Sequence, residues 1–431
     1  MIRVASMYAG QDSRSGDWRE VGSSSRIVSD RSGKFLPIVG RRRWSGVVLG
    51  WLLVLALSWA GVPQVQARAA ILMDAETGQV LHAKNAYKPL PPASITKVMT
   101  AIVVLERCDL EAVVKASERA VRTKASSMHL RVGETVKVRD LLYALMLRSA
   151  NDAAVALAEH TAGSVEAFAA LMNEKAKSLG AKRTCFVNPH GLHDPRHLST
   201  AYDLALITRH AMENETFRAI VQAPYYIVER SINQDDRWMV NKTKFLQQYP
   251  YAEGVKTGYT HQAGFCFAGS AYRDGRRLIT VVLNSPQREA DTIALMEHGF
   301  NDWERVGLSE GLTVGEAQVE NGVEARVPLR LARTLRWAVP KARRARYYWA
   351  VQPRLLHAPV QAGDPAGWLV VYRDGKPFLR APVVAAEAVA QRRVFPALLG
   401  WLALSGVMVG MLGWRRVCWR RHKPRARAGL R

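Results

Sequence analysis

The fold of this chain is decided at residues 91–105, which read Pro-Pro-Ala-Ser-Ile-Thr-Lys-Val-Met-Thr-Ala-Ile-Val-Val-Leu. The two prolines fix an extended turn, and Ser94 follows where a helix would begin. The residues after Ser94 are too apolar all round for a surface helix, so we expect a buried helix. Lys97 lies three residues on and shares a helical face with Ser94. The spacing therefore predicts that the lysine amine reaches the serine hydroxyl.

A serine and a lysine paired in this way can serve as a nucleophile and its base. At its ordinary pKa of about 10.4 a lysine is so rarely neutral at pH 7 that using it as a base costs about 4.6 kcal/mol. Burial and a second nearby cation would both lower that pKa, because each disfavours the ammonium form. The alternative is a serine that merely caps a helix, since Ser-x-x-Lys arises by chance about once in a chain of this length.

Length and charge narrow the classes of protein to consider. The chain has 431 residues, 48% of them hydrophobic, and a formal net charge of +24. This length suggests two or three domains. The charge could suggest nucleic acid, but much of the excess flanks two apolar segments, and eight Lys/Arg with no acidic residue follow Trp414. We therefore predict no nucleic-acid partner.

The first apolar segment, Trp44 to Trp59, is uncharged and follows three arginines at 41–43. The small-residue pattern Val65-Gln66-Ala67 comes after it. This order is typical of an export signal, so residues 1–67 are predicted to be a polar leader plus a signal peptide or signal anchor.

The second apolar segment, Val394 to Trp414, holds about 21 residues without a charge, enough to span a bilayer. The basic residues after it predict a cytoplasmic tail, so residues 391–431 form a transmembrane anchor with that tail. Everything between the two segments is then expected on the extracytoplasmic side of the cell membrane. The alternative is a buried core helix, which the length and the one-sided basic flank disfavour.

Cysteines are few. Cys418 falls in the predicted tail, which leaves Cys108, Cys185 and Cys266 outside. An odd number cannot all pair within the chain, so a disulfide scaffold is excluded. The sequence leaves open whether one bridge forms.

A second candidate site lies where polar residues interrupt an apolar pattern. Helical periodicity runs through residues 139–147 and again through 153–160, with Ser149-Ala150-Asn151-Asp152 as a polar break between them. Polar residues at such a break either serve a site or simply cap the second helix, which is the alternative here. Farther on, residues 254–258, 264–269 and 277–284 predict strands of one antiparallel sheet, beside a hairpin strand pair at 70–74 and 79–83.

The first of those later strands carries Lys256-Thr257-Gly258. An ammonium and a hydroxyl there could bind a carboxylate, and the glycine would let a substrate backbone lie close. The alternative is an exposed edge lysine. A loop at residues 188–197 holds His190, His193 and His197, which invites a zinc site. Because the loop would not fix the imidazoles on one face and no glutamate lies nearby, we predict no metal.

Ser-x-x-Lys, Ser-x-Asn and Lys-Thr-Gly occur in that order, and here the chain resembles the penicillin-recognising serine enzymes. The flanking residues, including Asn-Pro-His-Gly-Leu at 188–192 and Tyr-Thr at 259–260, look like the D-alanyl-D-alanine carboxypeptidase family, the low-molecular-mass penicillin-binding proteins. The match covers about residues 69–300. It implies an α/β (α+β) catalytic domain of the serine β-lactamase/transpeptidase type at 68–305, with an antiparallel sheet and a helical subdomain, and no cofactor.

The resemblance also implies a role for each motif residue. Catalytic roles fall on Ser94, the nucleophile, on Lys97, its base, and on Ser149, which relays a proton to the leaving amine. Substrate-binding roles fall on Asn151, Lys256, Thr257, Gly258 and Tyr259. The implied partners are peptidoglycan stem peptides, from which the terminal D-alanine is removed, and β-lactams as inhibitors. The backbone N–H groups of Ser94 and Tyr259 would form the oxyanion hole.

Beyond Trp303 the pattern changes to alternation, clearest at 323–331, and later to strands at 367–372 and 377–379 around a turn. Residues 306–390 are therefore predicted to form a small all-β domain. Its segment Gly363-Asp364-Pro365-Ala366-Gly367 resembles the β-rich stalk domain of the same family. It carries no constellation of catalytic residue types, so we expect it to act as a spacer or to contact a partner.

Three alternatives to the carboxypeptidase stay open. A β-lactamase would need a glutamate that places a deacylating water, as in a Glu-x-x-x-Asn segment, and the membrane anchor favours a wall enzyme instead. A D,D-endopeptidase runs almost the same chemistry. A non-catalytic β-lactam sensor or wall-binding protein belongs to another class, but its signalling would need more than a tail of about 17 residues.

Overall fold

The structure of the protein is a computed structural model that describes residues 5–7, 63–124, 126–342 and 346–393. Both predicted apolar segments, 44–59 and 394–414, lie outside these residues. Within the part that is described, every helix is too short or too polar to cross a bilayer.

The bounds of the secondary-structure elements follow in chain order. The strands are β1 (Ala5–Met7), β2 (Ala69–Asp74), β3 (Val80–Lys84), β4 (Val113–Lys115), β5 (Thr135–Lys137), β6 (Tyr225–Ile227), β7 (Trp238–Val240), β8 (Ala252–Thr260), β9 (Gly264–Arg273), β10 (Arg276–Leu283), β11 (Trp303–Leu308), β12 (Thr313–Glu320), β13 (Arg326–Leu331), β14 (Leu335–Pro340), β15 (Tyr347–Pro353), β16 (Leu356–His357), β17 (Pro365–Arg373) and β18 (Lys376–Ala385). The helices are α1 (Thr96–Arg107), α2 (Glu118–Val121), α3 (Val138–Tyr143), α4 (Asn151–Ala162), α5 (Val165–Ser178), α6 (Ala201–Ala211), α7 (Glu215–Gln222), α8 (Phe245–Gln248) and α9 (Arg288–Asn301).

The chain divides into two compact units. Of the described residues, the larger unit holds those of 6–308 and 335–347, and the smaller unit holds Ala5 and those of 309–334 and 348–393. Strand β14 pairs with β11 and belongs to the larger unit, although the sequence pattern placed residues 335–340 in the later β-rich region.

The centre of the larger unit is an antiparallel sheet with the strand order β3-β2-β10-β9-β8. Its inner strand β2 is buried on both faces: Ile71 and Met73 face one hydrophobic core with α1, and Ala70 and Leu72 face a second core with α9. This two-sided burial explains why β2 reads as a continuous apolar run. The predicted antiparallel sheet and its hairpins are confirmed.

Helix α1 is the buried helix that the sequence predicted. All residues from Thr96 to Val104 are buried, and the helix packs against α4, α5 and α6. An apolar surface on every side can be covered only in the interior, and α1 therefore occupies the centre of the helical subdomain.

The polar break after residue 147 differs from the prediction. Helix α3 ends at Tyr143, a π-helical turn follows at Ala144–Arg148, and Ser149 adopts a left-handed conformation with φ +65°. Asn151 is already the first residue of α4 rather than part of the break. The prediction of a four-residue break was wrong because the π turn changes the phase of the chain, and hydrophobic periodicity does not reveal a single wide turn.

The sheet of the smaller unit has the strand order β1-β15-β17-β18-β13-β12-β16. Alternate residues of β13 (Val327, Leu329 and Leu331) are buried, which agrees with the predicted all-β pattern, whereas β17 buries three consecutive residues at 369–371. Strand β13 begins at Arg326, later than the alternation at 323–331 predicted. Residues 321–325 instead connect β12 to β13, where the Val319 N–H donates to the Ala325 carbonyl.

Candidate active site

Ser94 lies in a 3-10 turn, Ala93–Ile95, directly before α1. The Lys97 Nζ donates to the Ser94 Oγ at 3.0 Å, so the predicted reach of the amine is confirmed. The capping alternative fails, because neither the turn nor α1 has a side-chain cap at its N-terminus. The hydroxyl therefore has no structural task in the helix.

Lys97 is buried, and the charge of Asp152 acts on it without forming an ion pair. Its side chain is fully buried, and besides Ser94 its Nζ donates to the Asn151 Oδ1 at 2.6 Å and the His190 carbonyl at 2.8 Å. No carboxylate of the described residues forms an ion pair with it. Burial first, and then the charge of Lys256, hold the pKa of Lys97 well below the usual lysine range. The lowered pKa favours the neutral amine, which can donate to Asn151 and His190 and accept from the Ser94 hydroxyl.

The start of α4 fixes the orientation of the Asn151 amide. Its Nδ2 donates to the Lys124 carbonyl at 2.8 Å, which leaves the Oδ1 turned toward Lys97. The neighbouring Asp152 accepts the Met128 and Leu130 N–H groups at 3.1 Å each and so holds the loop beside it. The carboxylate also accepts the Ala153 N–H in the first turn of α4 at 3.0 Å, so it joins the start of its own helix to this loop.

The edge strand β8 lies against the serine turn. A methyl group on Gly258 would come within 3.0 Å of the Ser94 backbone nitrogen, so the close approach requires glycine. Thr257 and Tyr259 flank Gly258 on the strand, and Tyr259 is 51% exposed. Lys256 is buried, with its Nζ 3.2 Å from the Thr257 carbonyl. The exposed-edge alternative for Lys256 is therefore excluded.

Two lysines share this cleft, and both have low pKa values. Burial lowers the pKa of Lys256 to about 7, with further contributions from the charges of Lys242 and Arg288. Lys242 is one of the charges that also lower the pKa of Lys97. The sequence prediction missed Lys242, which follows a short strand and carries no motif.

The histidine loop supports the serine turn. The His190 carbonyl accepts from Lys97, and the Thr100 hydroxyl donates to the Pro189 carbonyl at 2.6 Å. Gly191 has φ +84°, and a methyl group there would overlap the Ala93 carbonyl. Sequence reasoning missed this role, because the contact to Lys97 uses a backbone atom. The glycine between two prolines was the available signal.

The imidazoles of this loop are engaged elsewhere. His197 lies 2.8 Å from the Thr96 hydroxyl through Nε2 and accepts the Val187 N–H through Nδ1. Burial lowers the pKa of His197 to about 4 and that of His190 to about 3. Among the residues that the structure describes, no group of three or more His, Cys, Asp and Glu could hold a metal ion.

The structure also resolves the state of the cysteines and the position of a Glu-x-x-x-Asn spacing. Cys108, Cys185 and Cys266 are free thiols in the described part of the chain. A Glu-x-x-x-Asn spacing occurs once between Asn151 and Lys256, at Glu229 to Asn233. The Glu229 side chain is 72% exposed and its carboxylate lies 3.5 Å from the Lys137 Nζ, so it faces solvent rather than the serine hydroxyl.

Fold and site together define a class of serine enzyme: an antiparallel sheet with its edge strand against a serine whose hydroxyl contacts a buried lysine of lowered pKa. The family model for D-alanyl-D-alanine carboxypeptidase matches residues 58–287, and the model for the C-terminal domain of penicillin-binding protein 5 matches residues 307–391. The chain belongs to the D-alanyl-D-alanine carboxypeptidase family.

Individual proteins agree with this assignment. The chain is 32% identical over 336 residues to the D-alanyl-D-alanine carboxypeptidase DacF of Bacillus subtilis, covering 75% of this chain and 85% of that protein. It is 33% identical to DacD of Salmonella typhimurium, covering 78% and 90%. Penicillin-binding protein 5 from Haemophilus influenzae has a similar solved structure, with a TM-score of 0.67, 31% identity and coverage of 76% of this chain and 99% of that one.

Proposed function

We propose that Ser94 is the nucleophile with which this serine-type D-alanyl-D-alanine carboxypeptidase removes the terminal D-alanine of a peptidoglycan stem pentapeptide. The Ser94 Oγ attacks the carbonyl between the two D-alanines while its proton passes to the Lys97 Nζ. The bond to the leaving D-alanine breaks, and the acyl group stays on Ser94 until water hydrolyses the ester. The single observation that carries this proposal is the 3.0 Å contact of a fully buried lysine with the serine hydroxyl.

The leaving amine needs a proton as the bond breaks. We assign its delivery to Ser149, which the left-handed turn before α4 holds two residues from Asn151. Asn151 keeps the Lys97 amine in place and offers its amide to the substrate backbone. Removal of a general base or acid of this kind lowers a rate by about 10²–10⁴.

The substrate carboxylate and the developing oxyanion need separate donors. Lys256 and Thr257 bind the terminal carboxylate, and Gly258 lets the peptide lie along β8. The backbone N–H groups of Ser94 and Tyr259 bind the oxyanion. Removal of one such donor costs about 2.7–4 kcal/mol in comparable sites. The proximity of Gly258 to the Ser94 nitrogen supports this arrangement. A β-lactam presents the same carbonyl and carboxylate and acylates the same hydroxyl.

Ser94→Ala tests the nucleophile. We expect the variant to lose covalent labelling by a fluorescent penicillin and to release no D-alanine from a stem pentapeptide, because no acyl-enzyme can form. Ser127→Ala, at a hydroxyl that contacts Asp152, serves as a matched control that keeps labelling. Stoichiometric labelling of Ser94→Ala would place the nucleophile elsewhere.

We further propose that the enzyme works on the extracytoplasmic side of the cell membrane, with domain limits at 68–305 and 306–390. The support is the sequence alone: an export signal at 44–59, an apolar segment at 394–414 and a basic tail placed in the cytoplasm. Protease added to intact spheroplasts should digest the catalytic domain and protect an epitope placed after Arg431. Digestion of the epitope together with the domain would contradict this topology.

A further inference from the structure

The strands β6 and β7 form a two-stranded ribbon with an apolar outward face. Tyr225 pairs with Val240 and Ile227 with Trp238, so these four side chains share one face, here called the ribbon face. They are 53%, 58%, 42% and 57% exposed, respectively. A ribbon with one solvated face ordinarily carries polar residues there, so four large apolar side chains indicate a binding surface.

The inner face of the same ribbon is packed. Met239 is fully buried, and the Tyr226 ring stacks on Tyr143 with the centroids 3.7 Å apart. Hydrogen bonds also fix the end of β7. The Asn241 amide donates to the carbonyls of Val221 and Ala223 at 3.0 and 2.9 Å. The ribbon face is therefore a preformed platform on a well-anchored element.

A buried ion pair holds the hairpin connection of the ribbon. Arg230 and Glu134 are both fully buried, with the Nε and Oε1 atoms 2.7 Å apart. Arg230 also donates to the Met128 and Asp236 carbonyls at 2.8 and 2.7 Å. Because Met128 lies in the loop that Asp152 organises, the ribbon is joined to the loop beside the active site.

The ribbon is joined to the active site by the residues that follow β7. Strand β7 ends at Val240, and two residues later the Lys242 N–H donates to the Leu147 carbonyl at 3.3 Å, just before Ser149. The charge of Lys242 in turn acts on Lys97 and Lys256. A polymer that enters the cleft would thus meet the ribbon face beside it.

We propose that the ribbon face binds the glycan strand of peptidoglycan through stacking of sugar rings on Tyr225 and Trp238. This proposal rests on the proposed function, since the stem peptide in the cleft is attached to such a strand. The two rings lie 5.2 Å apart with planes 37° apart and form one aromatic surface. Flat rings with a polar edge suit a ligand that has apolar C–H faces and hydroxyl rims.

Size and charge select the glycan over other occupants. Three residues per strand make the face about 10 Å long and two strands wide, the length of two sugar rings, whereas a stable protein interface buries about 800 Å² per partner. The exposed residues of the connection include Glu229 and Asp235. Arg237, Lys242 and Lys244 lie nearby in the chain, so charges of both signs border the ribbon rather than the clustered Lys and Arg that an anionic lipid surface attracts.

The test uses the full chain and glycan strands from which an amidase has removed all stem peptides. We expect Trp238→Thr to bind these strands about tenfold more weakly in co-sedimentation, because the largest stacking surface is lost. Trp238→Phe should bind within about threefold of the wild type. Tyr272→Thr, at a strand tyrosine that is 48% exposed outside the ribbon, is the matched control and should bind normally.

The outcomes separate this proposal from the assignment of the nucleophile. Ser94→Ala should bind the stripped strands as the wild type does, whereas its penicillin labelling tests the catalytic proposal alone. Wild-type protein that fails to bind stripped strands, or Trp238→Thr protein that binds them undiminished, overturns the glycan site. If Trp238→Thr loses penicillin labelling and hence its fold, indole NMR of the wild type decides. A Trp238 signal that shifts with added strands supports the site, and one that stays fixed overturns it.

Discussion

The Arg230–Glu134 pair that holds the ribbon connection, here called the hairpin anchor, and the catalytic site around Lys97 each bury a cation completely. The two regions compensate the buried charge in opposite ways. Arg230 at the anchor lies in an ion pair with Glu134, and both side chains are fully buried. Lys97 in the cleft is equally buried, yet its described partners are a hydroxyl, an amide oxygen and a backbone carbonyl. One region therefore keeps its charge and the other is arranged to lose it.

The difference teaches how burial is used in each place. Removing a charge from water costs several kcal/mol, which a well-placed counter-ion can offset. An arginine does not deprotonate in proteins, so Arg230 requires Glu134. A lysine can instead release its proton, and its neutral form is the one that accepts a proton from Ser94. Burial without a directly bonded carboxylate thus suits Lys97 to act as a base, while the charge of Asp152 acts in the opposite direction.

Asn151→Asp would break this difference with the largest expected effect. The new carboxylate would stand where the Oδ1 now lies 2.6 Å from the Lys97 Nζ and would raise the pKa of that amine. We expect acylation by a fluorescent penicillin at pH 7 to slow about 10²–10³-fold, because the base is now protonated. The rate should recover as the pH rises, since a higher pKa is overcome at higher pH.

Asn151→Ala separates the new charge from the lost hydrogen bond. That variant also loses the contact with Lys97 but gains no carboxylate, so its rate should fall without a shift of the pH profile. Labelling of Asn151→Asp at the wild-type rate at pH 7 would show that the charge state of Lys97 does not limit acylation.

Glu134→Gln would break the other side of the comparison. It leaves the Arg230 charge buried without a counter-ion, and we expect the free energy of unfolding of the larger unit to fall by about 3–5 kcal/mol. The matched control is Glu166→Gln, because the Arg119–Glu166 pair is exposed, with 52% and 71% of the two side chains accessible. That change should leave the free energy of unfolding close to that of the wild type, because solvent screens an exposed pair. Similar losses in urea unfolding of both variants would argue against the anchor.

The same contrast shows which parts of the site the sequence could predict. The Ser94 to Lys97 contact spans three residues of one helical turn, so local periodicity was sufficient. The strands β8, β9 and β10 are joined by tight turns, and their order followed from the chain. Each of these features is local and repeats with a known period.

The remaining features join distant or main-chain atoms. Arg230 and Glu134 are 96 residues apart and look like ordinary surface charges in the sequence. The contact of the His190 carbonyl with Lys97 uses an atom that every residue has, so no side-chain pattern could reveal it. The start of α4 at Asn151 depended on a π turn that periodicity does not show.

Lys256→Arg sharpens the comparison with the smallest expected effect, because it gives the cleft a cation that cannot lose its charge. With the pKa of Lys256 at about 7, its ammonium is lost as the pH rises above that value, and kcat/KM for a stem pentapeptide should then fall by up to about tenfold per pH unit. Lys97 works in the opposite sense, since it must be neutral, so its protonation lowers the rate on the acid side.

In Lys256→Arg the alkaline fall should disappear and the acid limb remain, whereas Lys244→Arg, at an exposed lysine, should keep both. An unchanged alkaline fall in Lys256→Arg, measured as D-alanine release between pH 6 and 9, would assign that limb to another group and remove Lys256 as the carboxylate-binding charge.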